Sequence, residues 1–237
     1  MATFYGTAAS EIFLYSLHQE GDVIYADGFP DNVPTPGNNI VLAGLGNDTI
    51  YAGYGQDVVS GGQGDDSIFG YGAAGSTPGE IDALAAQDGA DFLAGGAGND
   101  TITAGGGADR LFGGSGNDLL NGGSGNDMLF GDVGNDILHS GRGADVMRGG
   151  LGADTFIYGY NFLSEFDSDA NGGRDVILDF TPGTDRIDLS GYGVAPDALS
   201  VQALENGLLL SFNAVSETGE IELAGVQQLQ DGDIIFA

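Results

Sequence analysis

The chain of 237 residues has no cysteine, and its five basic residues are all arginine, so lysine is absent as well. Without cysteine there can be no disulfide and no cysteine-ligated zinc or iron–sulfur site. No apolar run approaches the length that crosses a membrane, and no basic and apolar signal peptide stands at the start. The sequence therefore predicts a chain without a transmembrane segment, whose export would need a different signal.

The charge is one-sided, with 35 acidic residues against 5 basic ones and a net charge of −30. Such a chain repels nucleic-acid phosphates and anionic membranes, so neither is expected as a partner. Repulsion among the carboxylates also opposes compaction until cations neutralise them. We expect the metal-free chain to be largely unfolded.

Motifs that carry catalysis are missing too. The sequence contains neither a His-Glu-x-x-His zinc motif nor a Gly-x-Ser-x-Gly nucleophile turn. Its two histidines are His18, in an N-terminal strand or loop, and His139, which is expected at an outward, solvated strand position. The sequence predicts no catalytic residue, no organic cofactor site and no enzyme activity.

What the sequence does have is an aspartate that returns every nine residues between Ala43 and Ile157, with one break. A glycine stands two residues before each aspartate, and an apolar residue stands two residues after it. The aspartates are Asp48, Asp57, Asp66, Asp91, Asp100, Asp109, Asp118, Asp127, Asp136, Asp145 and Asp154. A flexible linker needs neither a fixed period nor an apolar residue in phase, so the pattern indicates a structural repeat.

Each part of the nine-residue unit has a physical role. Glycine allows the backbone to turn tightly with a positive φ. Aspartate supplies a hard oxygen ligand of the kind that calcium prefers. The apolar residue lies in a three-residue strand with one side chain pointing inward. One unit buries too little apolar surface to fold alone, so the units must stack.

The unit from Gly113 to Asn121 resembles the RTX nonapeptide of secreted bacterial proteins. The resemblance implies an all-β fold, a right-handed parallel β-roll in which two repeats make one turn. It also implies calcium ions between turns, held by aspartates two repeats apart and by turn carbonyls. Counting such pairs within each block predicts about seven ions. The turn residues expected to complete the sites are Gly44, Gly46, Gly62, Gly64, Gly96, Gly98, Asn99, Gly105, Gly107, Gly114, Gly116, Asn117, Gly123, Gly125, Asn126, Gly134, Asn135, Gly143 and Gly152.

The repeat divides the chain into five predicted regions. Residues 1–42 form an N-terminal cap that ends in a degenerate repeat, with Asn39 in the aspartate slot. A first repeat block covers 43–69, an insertion 70–88, and a second block 89–157. Residues 158–237 form the C-terminal cap and the region of the secretion signal.

The insertion is predicted because Asp66 and Asp91 are 25 residues apart, which is not a multiple of nine. It is either a tolerated surface loop or a functional one, and a short helix is expected over Glu80–Gln87. Gln87 and Asp132 occupy slots that elsewhere hold glycine, so distorted turns are expected at both.

After Ile157 the repeat is expected to end. Residues 175–190 indicate a strand, a turn and a second strand, and further strands are predicted within 199–223. This region resembles the C-terminal cap of serralysin-type proteases and alginate-epimerase R-modules, which implies an antiparallel β cap. The tail from Asp233 to Ala237 resembles the C-terminal signal of type I secreted proteins, although a buried last strand has the same pattern.

Strand positions beside the inward residue should face outward, yet several are apolar. They are Tyr51, Phe69, Phe112, Leu119, Met128, Phe130, Ile137 and Val146. Phe112 and Phe130 are two repeats apart, so they should stack about 4.8 Å apart on one sheet face. Either another part of the chain covers such residues, or they form a docking face for an envelope or matrix partner or for a second copy.

The resemblance implies a secreted protein, exported through a type I channel, that folds when it meets calcium outside the cell. We expect an extracellular interaction or structural protein, self-assembly included. The alternative is a calcium-dependent carbohydrate-binding module, by likeness to the R-modules, although few arginines are available for an acidic glycan. Ice binding would need a regular threonine ladder, which the sequence lacks, and a nodulation-type signalling protein stays open.

Overall fold

The computed structural model describes residues 3–5, 12–14, 21–26, 37–71, 89–159, 173–213 and 218–237. Within these ranges the chain forms twenty-one strands and one short 3-10 helix, Pro196–Ala198. The strands are β1 (Thr3–Tyr5), β2 (Ile12–Leu14), β3 (Val23–Tyr25), β4 (Ile40–Leu45), β5 (Thr49–Tyr51), β6 (Val58–Gln63), β7 (Ser67–Phe69), β8 (Phe92–Ala97), β9 (Thr101–Gly106), β10 (Arg110–Ser115), β11 (Leu119–Ser124), β12 (Met128–Val133), β13 (Ile137–Arg142), β14 (Val146–Leu151), β15 (Thr155–Gly159), β16 (Asp175–Ile177), β17 (Arg186–Gly191), β18 (Leu199–Leu204), β19 (Gly207–Asn213), β20 (Thr218–Ala224) and β21 (Ile234–Ile235).

From β1 to β18, successive strands alternate between two sheets. The first sheet has the order β1-β3-β5-β7-β9-β11-β13-β15-β17-β21, and the second has the order β2-β4-β6-β8-β10-β12-β14-β16-β20-β19-β18. The pairing is parallel throughout the first sheet, and in the second sheet from β2 to β20. One turn of the chain therefore contributes one strand to each sheet, which confirms the predicted parallel β-roll.

The strand of a full repeat is longer than the three residues predicted. β10 has six residues, and its pairing with β12 skips Gly113, between Phe112 and Gly114. The strand is longer because the residues after the apolar one also pair with the next turn, Gly114 with Asp132 and Ser115 with Val133. Positive φ angles at Gly114 (109°) and Gly116 (131°) then turn the chain towards the other sheet.

The core lies between the two sheets and contains one inward residue from each repeat. All eleven apolar residues predicted from the repeat are at most 1% exposed: Ile50, Val59, Ile68, Leu93, Ile102, Leu111, Leu120, Leu129, Leu138, Met147 and Phe156. Burying one such side chain contributes about 1.5–3 kcal/mol, whereas ordering the backbone costs about 1–2 kcal/mol per residue. A single repeat therefore does not fold alone, and stacking is required.

The roll continues across the break in the repeat. β6 pairs with β8, and β7 pairs with β9, so that Val58 lies opposite Phe92 and Ile68 opposite Ile102. These partners are 34 positions apart rather than 18. The insertion therefore lengthens one turn and does not separate two blocks. Residues 72–88, with the predicted helix, lie outside the described residues, as does His18.

The expectation that the repeat ends after Ile157 is wrong, although both strands predicted within residues 175–190 are present. β16 pairs in parallel with β14, and β17 pairs in parallel with β15, so they lie in different sheets. Both segments have the pattern of an aspartate followed two residues later by an apolar residue, and Ile177 and Ile187 are fully buried. They are further repeats of the roll at irregular spacing.

Antiparallel pairing is confined to β18, β19 and β20, so the predicted antiparallel cap is smaller than expected. β20 pairs in parallel with β16, and the three strands extend the second sheet beyond the last turn. Leu210, Phe212 and Leu223 are buried against the end of the roll. The tail contributes β21, which pairs in parallel with β17. Among the described residues, no helix is long and apolar enough to span a membrane.

Candidate calcium-binding turns

The turns between the two sheets place the aspartates in two columns. The first column precedes the strands of the first sheet and consists of Asp22, Asp48, Asp66, Asp100, Asp118, Asp136, Asp154 and Asp185. The second column precedes the strands of the second sheet and consists of Asn39, Asp57, Asp91, Asp109, Asp127, Asp145 and Asp175. Every member of both columns is buried.

Hydrogen bonds link neighbouring members of each column through one carboxylate oxygen. The backbone N–H of Asp118 donates to Oδ1 of Asp136 at 2.9 Å, and the N–H of Asp136 donates to Oδ1 of Asp154 at 2.9 Å. The same bond joins every neighbouring pair in both columns, with lengths from 2.6 to 3.0 Å. The structure thus brings together the aspartates predicted to act as pairs. It adds pairs across the insertion, because Asp91 accepts from Asp57 and Asp100 accepts from Asp66.

The second carboxylate oxygen has a different environment. In seven aspartates Oδ2 is buried and has no hydrogen-bond partner among the described residues: Asp66, Asp100, Asp109, Asp118, Asp127, Asp136 and Asp154. Leaving a carboxylate oxygen buried without a partner costs several kcal/mol unless a cation compensates. These turns are therefore electrostatically incomplete.

A small residue five positions before the aspartate leaves room beside Oδ2. A Cβ atom placed on Gly131 would meet Asp136 Oδ2 and the carbonyl oxygen of Gly149. At Gly122 it would meet Asp127 Oδ2 and a carbonyl oxygen one turn further on. The two nearest atoms in each of these hollows are oxygens, and oxygen is the donor that calcium prefers.

Burial raises the pKa of six column aspartates well above the usual value of 3.8. The backbone hydrogen bond to Oδ1 lowers the pKa, and neighbouring carboxylates in the same column raise it again, as Asp109 and Asp145 do for Asp127. The pKa values are about 8 for Asp127, about 7 for Asp66, and about 6 for Asp109, Asp118, Asp136 and Asp154. Burial thus makes the neutral acid easier to form at these six positions than at an exposed aspartate.

The predicted turn glycines all have a positive φ. Neighbouring turns also approach closely at these positions, since a Cβ on Gly116 would overlap the carbonyl oxygen of Gly98. Glycine is therefore needed for conformation and for space, and the carbonyl groups of successive turns lie near one another.

The predicted asparagines use their side chains for a second ladder beside the first. The backbone N–H of Asn117 donates to Asn99 Oδ1 at 2.7 Å, and that of Asn135 donates to Asn117 Oδ1 at 2.8 Å. Asn126 accepts in the same way from the N–H of Ala144. These side chains are exposed and already accept a hydrogen bond. The backbone carbonyl groups of the asparagines are therefore the groups left to bind a metal.

The distorted turn predicted at Asp132 is not found. Asp132 has a φ of 72° and pairs in register with Gly114 and Gly150. Aspartate tolerates this left-handed conformation better than most residues, so the glycine slot keeps its geometry. The other predicted distortion, at Gln87, falls outside the described residues.

The solvated position predicted for His139 is wrong. His139 does occupy the third, outward position of β13, opposite Asn121, but it is fully buried. Its Nδ1 lies 3.4 Å from Asn121 Oδ1, and Thr103, the next residue in that row, is buried as well. The nonapeptide pattern specifies which side chains point inward, and it carries no information on what covers the outer face.

The nine-residue period does not predict five aspartates of the columns and of the C-terminal turns. They are Asp22, Asp175 and Asp185, together with Asp179 and Asp233 in the C-terminal turns. A signal existed for the first three, since each precedes an apolar residue by two positions. None of these three is separated from its neighbouring aspartate in the column by a multiple of nine residues, so the period does not predict them.

The donor set fits calcium when backbone groups are included. In the described part of the chain no group of three or more histidine, aspartate or glutamate side chains could hold a metal ion. An ion would therefore need turn carbonyls in addition to the bare Oδ2 atoms of the column aspartates. The fold and these turns define a calcium-binding parallel β-roll protein.

Comparison with known families agrees with this class. The family described as RTX calcium-binding nonapeptide repeat (4 copies) matches residues 34–68, 86–120 and 121–156. The chain belongs to this RTX family. A search of curated proteins found no match.

Solved structures similar to the chain include two modules of one enzyme and one lipase. The AlgE6R3 subunit of the mannuronan C5-epimerase from Azotobacter vinelandii is 31% identical, with 63% of this chain and 80% of that chain covered and a TM-score of 0.40. The AlgE6R2 subunit is 25% identical, with coverages of 76% and 91% and a TM-score of 0.29. The extracellular lipase LipA from Serratia marcescens is 17% identical, with coverages of 81% and 40% and a TM-score of 0.32. This chain thus spans less than half of the lipase.

Proposed function

We propose that this protein is a calcium-folded extracellular interaction protein, exported by type I secretion. The observation that carries the proposal is the row of buried aspartates with one oxygen bonded and the other bare. Such turns store unfavourable charge until a divalent cation arrives. The RTX repeats support the calcium step, and RTX proteins are typically secreted.

Calcium acts here as a folding switch. In a calcium-poor cytosol, the net charge of −30 and the incomplete turns keep the chain unfolded and suited to passage through a channel. Outside the cell, millimolar calcium lies in the range that weak extracellular sites bind. Because the site does not exist in the unfolded chain, binding free energy becomes folding free energy.

The switch is tested by titrating calcium into metal-stripped protein while circular dichroism and light scattering are recorded on one sample. We expect the β signal to rise cooperatively with calcium and to disappear when a chelator is added. A β signal of full size in the chelator alone would overturn the proposal.

A docking surface follows from the outer side of the second sheet. The outward positions of β4, β6, β8, β10, β12 and β14 form what we call the phenylalanine face: Ile40, Leu42, Val58, Ser60, Phe92, Ala94, Arg110, Phe112, Met128, Phe130, Val146 and Arg148. Phe112 and Phe130 stack with ring centroids 5.0 Å apart and planes 7° apart, which confirms the predicted stacking. Phe92 continues the stack and is 42% exposed. The other apolar residues of the predicted stripe, Leu119 and Ile137 among them, lie on the opposite sheet.

The charge of the phenylalanine face favours a second copy of this chain as its occupant. The chain has 35 acidic residues, yet none lies at these positions, and two of the five arginines do. Contact between two of these faces therefore brings no carboxylate of one set of outward positions against that of the other. Contact also buries apolar side chains, at about 25 cal/mol per Å² of area removed from water.

Self-association is tested with Phe112→Ser and Phe130→Ser in one variant. We expect the calcium-dependent rise in mass to be lost while the β signal stays, because the inward core is unchanged. The matched control is Tyr51→Ser with Phe69→Ser, a stacked pair 4.9 Å apart on the first sheet. Association that survives in the phenylalanine variant, or wild-type protein that stays monomeric in calcium, would exclude the second copy as the occupant.

A second candidate function is calcium-dependent carbohydrate binding. The observation that favours it is the likeness to subunits of a mannuronan C5-epimerase. The exposed arginines are few, and one of them, Arg174, pairs with Glu220 and Glu222. Retention on immobilised mannuronan in calcium, with release by chelator, would favour this function over self-association. The absence of catalytic activity is part of the same proposal, because the matched region is a calcium-binding repeat.

A further inference from the structure

The columns contain two chemically different kinds of turn. In Asp66, Asp100, Asp109, Asp118, Asp127, Asp136 and Asp154 the Oδ2 atom has no partner in the described structure, whereas Asn39, which begins the second column, and Asp185, which ends the first, have the equivalent atom bonded to the protein. The difference concerns the atoms that would face a calcium ion, so it determines which turns need one.

At the N-terminal end, an amide takes the place of the bare oxygen. Asn39 keeps the column bond, since its backbone N–H donates to Asp57 Oδ1 at 2.7 Å. Its Nδ2 donates to the carbonyl oxygens of Ala52 at 3.1 Å and of Gly37 at 3.4 Å. Ala52 lies thirteen residues after Asn39 and is fully buried.

The carbonyl of Ala52 corresponds to one beside the bare oxygens of the middle turns. Gly149 likewise lies thirteen residues after Asp136, and its carbonyl oxygen borders the same hollow as Asp136 Oδ2. With aspartate the hollow is lined by acceptors only and requires a cation. With Asn39 a donor occupies it, and the acceptors are satisfied without one.

At the C-terminal end, backbone N–H groups do the same. Asp185 continues the first column by accepting from the N–H of Asp154 at 3.0 Å, but its Oδ2 accepts from the N–H of Thr181 at 2.7 Å. Asp233 accepts from the N–H groups of Gly183 and Gln230, at 2.7 Å each. Both oxygens of each carboxylate thus have donors, although Asp185 is only 4% exposed and Asp233 only 1%.

Asp179 follows the same rule in the turn next to these. Its Oδ1 accepts from the N–H of Gly149 and its Oδ2 from the N–H of Gly150, at 3.0 Å each. Arg148 adds an ion pair at 3.3 Å to Oδ2. Hydrogen bonds to a carboxylate stabilise its charge without a metal.

We infer that the second column begins and the first column ends in metal-free turns, in which Asn39 at the start and Asp185 and Asp233 at the end replace calcium with hydrogen bonds, so that no ion binds at these turns. The inference rests on the proposed calcium function and specifies which turns bind no ion. It also makes position 39 a latent calcium site, closed by a single amide.

The test counts bound calcium by native mass spectrometry in excess calcium. We expect Asn39→Asp to bind one ion more than the wild type, because the substitution removes the donor and restores the bare oxygen. The matched control is Asn38→Asp, an exposed neighbour whose side chain accepts from the N–H of Gln56, and it should leave the count unchanged. An unchanged count in Asn39→Asp, or an equal gain in the control, would overturn the inference.

The C-terminal end is tested by Asp233→Asn beside Asp118→Asn, with the β signal in calcium as the check on folding. We expect Asp233→Asn to keep the wild-type count and Asp118→Asn to lose at least one ion. Loss of an ion from Asp233→Asn would overturn the inference at this end, and Asn39→Asp decides it independently if Asp233→Asn does not fold. A wild type that binds no calcium would instead refute the proposed function.

Discussion

Seven buried column aspartates, namely Asp66, Asp100, Asp109, Asp118, Asp127, Asp136 and Asp154, use their two oxygens differently. Oδ1 accepts the N–H of the previous turn and fixes the register, as Asp136 does for Asp118 at 2.9 Å. Oδ2 has no partner in the described structure and is left for a ligand. Asparagine preserves the first of these interactions and lacks the charge for the second, so substitution separates the two.

Asp118→Asn is expected to weaken calcium-induced folding without preventing it. Asp118 adjoins two turns, those of Asp100 and Asp136, so two ion sites lose a charged ligand. The calcium midpoint should rise about tenfold or more, since loss of even an outer-shell partner of a metal typically costs about 10- to 100-fold in affinity. The midpoint is read from the β signal in a calcium titration.

The control for this variant is Asp197→Asn, which removes the same charge from an exposed position in the short 3-10 helix. An equal shift in the control would mean that net charge, and not ligation by Asp118, sets the midpoint.

Acid should partly replace calcium. The pKa of Asp127 is raised to about 8 and that of Asp66 to about 7, mainly by burial, against 3.8 for the ordinary group. Between the ordinary pKa of aspartate and these raised values, the folded metal-free roll binds more protons than the unfolded chain. Its stability is therefore largest at low pH and is lost as the pH rises through about 6 to 8. In chelator, the β signal should therefore increase as the pH falls from 8 to 5, and the calcium midpoint should rise over the same range. A β signal in chelator that does not change with pH would contradict this expectation.

At the scale of single residues, the sequence predicts burial and site membership only for residues that recur every nine positions. The inward residues and the eleven aspartates were found because each recurs every nine positions. Asp185 and Asp233 lie at irregular distances, and the burial of His139 depends on what covers the outer face of the first sheet. Neither spacing nor composition contains that information.

Among the elements, the turn that contains the insertion is the most informative. It joins β7 to β8, and the strands on either side keep their register with partners 34 residues away. Gly70 has the position of the small residue that precedes each aspartate by five, because a Cβ placed on it would meet Asp91 Oδ2. The insertion therefore begins after the turn has started, and both halves of an ordinary turn are present.

Deleting residues 72–87 should leave a roll that still folds with calcium. The deletion removes 16 residues and joins Tyr71 to Asp88, which restores the nine-residue distance between Asp66 and Asp91. Shortening a loop changes the closure entropy only slowly with its length, so the calcium midpoint should move less than about twofold. Circular dichroism in a calcium titration measures this.

Deleting residues 72–88 gives the matched control for the insertion, since it leaves one residue too few for the turn. The longer deletion should fold poorly or at much higher calcium. Failure of the shorter deletion would show that the insertion is part of the folding unit.

In the C-terminal part of the chain, the sequence predicts strands but not the strands with which they pair. The strands over residues 175–177 and 186–191 were predicted, but their pairing was not. A strand, a short turn and a strand favour a hairpin, whereas the alternation of sheets in the roll assigns β16 and β17 to opposite layers. Tertiary context determined the pairing, because each strand continues the core of the preceding turn.

For the molecule as a whole, cation specificity follows from burial. Fourteen of the 35 acidic residues lie in columns that solvent does not reach, so added salt screens these charges little. Magnesium demands a near-octahedral shell and loses water reluctantly, which suits turns built from carbonyls poorly. We expect neither about 0.5 M potassium chloride nor magnesium at the calcium midpoint concentration to produce the β signal. Folding in potassium alone would mean that general charge screening, not ligation, drives the transition.

The insertion has a mechanical consequence. In a roll each turn contacts only its two neighbours. A force that pulls on the ends of the chain should therefore unfold one turn at a time, starting from an end of the roll. An ordinary turn contains 18 residues and should lengthen the tether by about 60 Å. The turn that carries the insertion spans 34 residues and should yield a single step of about 115 Å. The position of that step in a pulling trace would reveal from which end the roll comes apart.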